Sequence, residues 1–99
     1  MKPENNRARV YVLFEIQPGK DKAFSDEIAA KGLISESEGE RMDFVHGSFD
    51  FVIILQGTMK DIDARIMEMR KSPFVRRTET LICFEIFTLE DLSGRLNGA

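Results

Sequence analysis

The residues able to do chemistry are few and scattered. His46 is the chain's one histidine, Cys83 its one cysteine, and there is no tryptophan. One histidine cannot build an HExxH-type zinc site, and one cysteine can form neither an internal disulfide nor a multi-cysteine metal site. No P-loop, GxGxxG, GxSxG or CxxC spacing occurs. His46 stands beside Gly47-Ser48 and reads as a surface or interface residue. Cys83 lies inside an apolar stretch and reads as a small core filler. Asp50 follows the Gly47-Ser48 turn, a position where aspartate commonly stabilises the turn itself. Arg65, Arg70, Lys71, Arg76 and Arg77 make one region locally basic. Its plain reading is a solvated helix face with pairs such as Asp61 to Arg65. Met42, Met59, Met67 and Met69 read as core or interface residues. No cofactor is implied by any of these groups.

The chain that must position these residues is short. Its 99 residues and 11.3 kDa have room for a single core. A net charge of −3 and a pI near 5.2 argue against a dedicated nucleic-acid surface. No apolar run exceeds five residues, the length of Phe51 to Leu55 and far short of a membrane span, and the first nine residues lack a secretory apolar core. With a single cysteine, these features fit a cytoplasmic protein.

Hydrophobic patterning gives the elements. Residues 1–8 read as a flexible leader. Arg9 to Ile16 is β-branched and aromatic, hence a strand closed by Pro18-Gly19. Lys20 to Lys31 carries Phe24 and Ile28 at helical spacing, with Gly32 as its stop. Residues 33–40 are polar and acidic and read equally as helix, loop or strand start. Arg41 to His46 and Phe49 to Gln56 flank Gly47-Ser48 as a hairpin. Thr58 and Asp61 resemble a capping box before Met59, Ile62, Ile66 and Met69, which share a helix face. Pro73 stops that helix, and Thr78 to Phe87 is a last strand. Residues 89–99 are a polar tail with a helical turn around Leu89 to Leu92. The order β-α-β-β-α-β predicts an α+β fold: a ferredoxin-like plait, with a four-stranded antiparallel sheet and both helices on one face.

That arrangement leaves apolar surface uncovered. Val10, Val12, Phe14 and Ile16 alternate with Tyr11 and Leu13. Phe49, Phe51, Ile53 and Leu55 alternate with Val52 and Ile54, and Ile82, Phe84 and Ile86 oppose Leu81, Cys83 and Phe87. A sheet with one solvated face should alternate apolar with polar. The second face therefore calls for cover, and a two-fold-related copy of the same sheet supplies it, as in a dimeric α/β-barrel.

Three stretches resemble the effector-binding domain of the Lrp/AsnC (feast/famine) transcription regulators, the regulation-of-amino-acid-metabolism module. They are Glu15-Ile16-Gln17-Pro18-Gly19-Lys20, His46-Gly47-Ser48-Phe49-Asp50-Phe51, and Ser72-Pro73-Phe74-Val75-Arg76-Arg77-Thr78-Glu79-Thr80-Leu81-Ile82. They match the family's V-x-P-G-K, G-x-[FY]-D and P-G-V-x-x-T-x-T motifs in order, with Phe74 in place of the usual glycine. The resemblance covers residues 9–88, here without the family's helix-turn-helix domain, and so resembles the stand-alone form of the module.

The resemblance implies a ligand-sensing and oligomerisation module rather than an enzyme. It would bind an amino acid or similar metabolite in clefts between dimers, without contacting nucleic acid directly or entering a membrane. Dimers would assemble into octameric or decameric rings, or join a full-length relative, and tune transcription indirectly. Carried over by motif, Gly47, Ser48 and Asp50 would line the cleft with Thr78 and Thr80 nearby, while Phe44 and Leu81 would give apolar contact. Gly47 would let backbone amides approach a carboxylate, and Asp50 would accept from an ammonium group. The alternative is a small dimeric α/β-barrel enzyme, monooxygenase-like or haem-linked, for which Tyr11 and His46 are the candidate side chains.

Overall fold

The computed structural model describes residues 7–84 and 89–90. The elements are β1 (Arg7–Ile16), α1 (Asp21–Ala30), β2 (Arg41–Phe44), β3 (Phe51–Thr58), α2 (Met59–Arg70) and β4 (Val75–Ile82), with a 3-10 turn at Glu36–Glu38. The four strands form one antiparallel sheet in the order β2-β3-β1-β4. This is the ferredoxin-like βαββαβ arrangement that the patterning predicts.

Local chemistry explains the boundaries. Gly32 has φ +61° and donates to the Ala29 carbonyl, so α1 ends in a left-handed residue as expected. Thr58 Oγ1 accepts from the Asp61 amide at 3.2 Å and caps α2. Residues 33–40, ambiguous in sequence, are a loop closed at Gly39, whose φ of +83° ends the 3-10 turn.

One face of the sheet holds the core. Val10, Val12, Phe14 and Ile16 of β1 pack with Phe51, Ile53 and Leu55 of β3 beneath Phe24 and Ile28 of α1 and Ile62, Ile66 and Met69 of α2. An aromatic chain runs through it, with centroids 5.2 Å apart for Phe14 and Phe24 and 5.6 Å for Phe24 and Phe51. The opposite face presents Tyr11, Leu13, Val52, Ile54 and Cys83, all half-buried, and the exposed Leu81. Neither α1 nor α2 lies on it.

Some edges differ from expectation. β1 begins at Arg7, so Arg7 and Ala8 pair with Thr58 and Gly57. The hairpin loop is longer than Gly47-Ser48, spanning residues 45–50, which removes Phe49 from the core row of β3. The last strand starts at Val75, three residues early, because Ile16 pairs with Val75 across a bulge between Glu15 and Ile16. Its helix-side positions are Thr78, Thr80 and Ile82, paired with Phe14, Val12 and Val10. Ile86, Phe87 and the tail beyond Glu90 lie outside the described residues.

A buried ion pair ties the loop to the sheet and α2. Glu40 is 3% exposed. Arg65 grips it with both terminal nitrogens, at 2.6 Å and 2.7 Å, and also donates to the Leu33 and Gln56 carbonyls. The amides of Ser35 and Gln56 donate to the same carboxylate at 2.8 Å and 2.9 Å. Burial raises the Glu40 pKa, but the bonds from Arg65, Gln56 and Ser35 outweigh it and hold the carboxyl below its usual range. The folded state thus favours the carboxylate more than the unfolded chain does. The resulting stability is present above the ordinary carboxylate range and disappears as pH falls through and below it. Glu40→Gln leaves Arg65 without its main counter-charge and should cost about 3–5 kcal/mol in urea unfolding at neutral pH. Its stability should also fall less steeply than the parent's on acidification. Equal stability in the two proteins would contradict this role.

Candidate functional site

The side chains nominated from sequence gather mainly at one end of the sheet. There β1 and β2 end, while β3 and β4 begin, and the 45–50 loop crosses between them. Asp50 anchors the loop. Its carboxylate Oδ2 accepts from the Ile16 amide at 2.7 Å, its own amide donates to the Phe14 carbonyl, and its carbonyl accepts from the Val45 amide. The Ile16 amide lies at the β1 bulge, where an irregular ladder leaves a donor without its regular partner. Asp50 therefore holds the loop against β1.

Gly47 has φ +146°, a backbone state that side chains disfavour, and it is exposed with Ser48. The Ser48 carbonyl accepts from Arg77 Nη2 at 3.3 Å. Arg77 also donates from Nε to Glu15 at 3.2 Å and lays its guanidinium 4.4 Å from the Phe49 ring centroid. This residue, read from sequence only as part of a basic stretch, joins the loop to β4 and β1. No local spacing signals it, because its three partners are distant in sequence.

Phe44 ends β2 on the helix side, 58% exposed, with its ring 5.2 Å from Phe51 and 5.8 Å from His46. Thr78 pairs with Phe14 at the same end of the sheet, and Thr80 lies two residues further along the same side. Leu81 pairs with Tyr11 and so lies on the opposite face. The structure thus brings Gly47, Ser48, Asp50, Phe44 and Thr78 to one end, continues them through Thr80, and separates Leu81 by the thickness of the sheet.

Tyr11 and His46, the side chains considered for an enzyme, are also apart: Tyr11 sits mid-strand on the outer face and His46 in the exposed loop. The space between sheet and helices is filled by the apolar core. Grooves open elsewhere among the described residues. One of about 690 Å³ runs between α1 and β2, past Ile28, Ala29, Ile34, Arg41 and Met42. Another, about 490 Å³, lies over the Glu40–Arg65 pair. Among the described residues, no cluster of three metal-ligating side chains occurs, and no helix is long and apolar enough to cross a membrane.

Neither a protein-family sequence model nor a curated protein sequence matches this chain. Solved structures do. FFRP-DM1 superposes with a TM-score of 0.64 at 24% identity, over 78% of this chain and 99% of that one. An AsnC family transcriptional regulator from Agrobacterium tumefaciens gives 0.66 at 15% identity, over 89% of this chain and 58% of that protein. A feast or famine regulatory protein from M. tuberculosis, complexed with L-methionine, gives 0.65 at 14% identity, over 89% of this chain and 58% of its own. The chain thus spans a little under three-fifths of those two regulators and nearly the whole of FFRP-DM1. It has the ferredoxin-like fold of the regulatory domains of the Lrp/AsnC feast/famine regulators.

Proposed function

We propose that this chain is a ligand-sensing and oligomerisation module of the Lrp/AsnC type, acting without chemistry of its own. Two copies close their outer sheet faces over one another. Further contacts between such dimers build larger rings, an octamer or decamer, and create clefts at the 45–50 loops. An amino acid or similar small metabolite binds there and changes the assembly, and transcription responds indirectly, through a full-length relative that co-assembles with the module.

The observation that carries this reading is the outer face. Tyr11, Leu13, Val52, Ile54, Leu81 and Cys83 form an apolar surface on the side of the sheet away from α1 and α2. Burying ~600 Å² of it per subunit would contribute roughly 15 kcal/mol before the costs of association, at about 25 cal/mol per Å². The fold likeness to regulators, one of them held with L-methionine, supports the sensing role. The loop chemistry is compatible with it. Asp50 Oδ2 is committed to Ile16, and a carboxylate has further lone pairs for an ammonium group.

A calorimetric screen of the twenty amino acids against the full chain should find at least one that binds at or below millimolar concentration. No binding by a folded sample would contradict the sensing role. The loop assignment has its own test. Asp50→Ala removes the acceptor of the Ile16 amide and should destabilise the fold by about 1–3 kcal/mol. Asp50→Asn keeps an acceptor oxygen and removes only the charge. It should retain the parent's fold and weaken effector binding by about tenfold, the worth of one charge-assisted bond. Unchanged affinity in Asp50→Asn would remove Asp50 from the site.

A further inference from the structure

β2 is an edge strand of four residues, Arg41-Met42-Asp43-Phe44, paired on one side only, to β3. Antiparallel ladders alternate, so consecutive residues turn their amides and carbonyls to opposite sides. Val45 donates to Asp50 across this ladder, which places the backbone groups of Arg41 and Asp43 toward β3 and leaves those of Met42 and Phe44 facing outward along the open edge. Sheet edges are commonly blunted by lysines, prolines or bulges that keep a second edge away. This edge carries opposite charges two residues apart on one face, with Met42 between them in sequence. Arg41 and Asp43 are bound to each other at 2.8 Å, and Arg41 is exposed.

We propose that the β2 edge is a self-pairing contact, in which two copies of this chain align β2 antiparallel about a two-fold axis at Met42 and join their sheets. In that register Met42 faces Met42 of the second copy, and the two exchange both backbone hydrogen bonds. Arg41 of each copy stands opposite Asp43 of the other, so two intramolecular ion pairs become two intermolecular ones. Phe44 of each copy is carried to the Glu40 end of the other. The groove of about 690 Å³ between α1 and β2, with Ile34, Arg41, Met42 and Asp43 in its wall, runs along this same edge. The charge pattern and the strand register are thus both self-complementary, as a two-fold contact requires.

The other edge is less suited. On β4, Arg77 and Glu79 also flank a central residue, Thr78, but Arg77 is held by Glu15, Ser48 and Phe49. The β2 contact uses a different surface from the outer face and does not depend on the sensing role.

The test is a charge swap divided between two chains. Arg41→Asp sets two aspartates against each other across the contact, and Asp43→Arg sets two arginines against each other. Each single variant should therefore lose one association step and sediment as a smaller multiple of the 11.3 kDa chain than the parent does at high protein concentration. Mixing the two variants restores opposite charges only across the contact, since each chain's own pair stays broken. The equimolar mixture should return to the parent's mass. Single variants that sediment like the parent, or a mixture that stays at the mass of the single variants, would overturn the proposal. The pair Arg41→Glu and Asp43→Lys repeats the experiment should either first variant fold poorly.

Discussion

Apolar side chains on both surfaces of a sheet, with α1 and α2 together on one of them, set the terms for this molecule. β1 shows it most directly. Val10, Val12 and Phe14 are fully buried under the helices, and Tyr11 and Leu13, one residue out of phase, face away from them. The same alternation runs through β3, where Ile53 and Leu55 are buried and Val52 and Ile54 are only half covered. A solvated antiparallel face would carry polar residues at these positions. The outer face does so only toward its margins, at Arg9, Glu15 and Gln56 near the strand ends and at Arg41, Asp43, Arg77 and Glu79 on the edge strands. The apolar patch is therefore central and rimmed by polar groups, which is the anatomy of an interface.

Two polar anchors fix the elements around this sheet. The Glu40–Arg65 pair holds the loop after α1 to β3 and α2, with Ser35 and Gln56 amides completing the carboxylate's hydrogen bonds. At the opposite end Asp50 fastens the β2–β3 loop to the β1 bulge. Each uses a carboxylate to satisfy backbone donors that an irregular ladder or a loop leaves over. The anchor at Asp50 also sets the conformation of the loop in which Gly47 and Ser48 are displayed, so fold and candidate site share a side chain.

Much of this was legible in the amino-acid sequence because period-2 and period-3.6 patterns are strong here. Phe24 and Ile28, and Ile62, Ile66 and Met69, face the core as their spacing requires. The Thr58 cap and the Gly32 stop were also readable, since each depends on local chemistry alone. The start of β4 was not. Thr78 and Thr80 look like strand residues, but the strand begins at Val75 because the bulge at Glu15/Ile16 sets its register. Arg65 was readable only in part. Its helical neighbour Asp61 does lie at 3.0 Å, but the dominant partner, Glu40, comes from the stretch with the weakest pattern. The motif groups Leu81 with Thr80, whereas strand alternation places it on the other side of the sheet. Long-range partners such as Arg77 with Phe49 and Ser48 carry no local signature at all.

The claim that the outer face is buried against a second copy is tested most directly by sedimentation equilibrium of the full chain beside Leu13→Lys. Leu13 lies at the centre of that face, between Val52 and Glu79, and contributes nothing to the helix-side core. The account predicts a parent mass that is a multiple of 11.3 kDa and a smaller multiple for a folded Leu13→Lys chain. A parent that is soluble and stable at 11.3 kDa would contradict it.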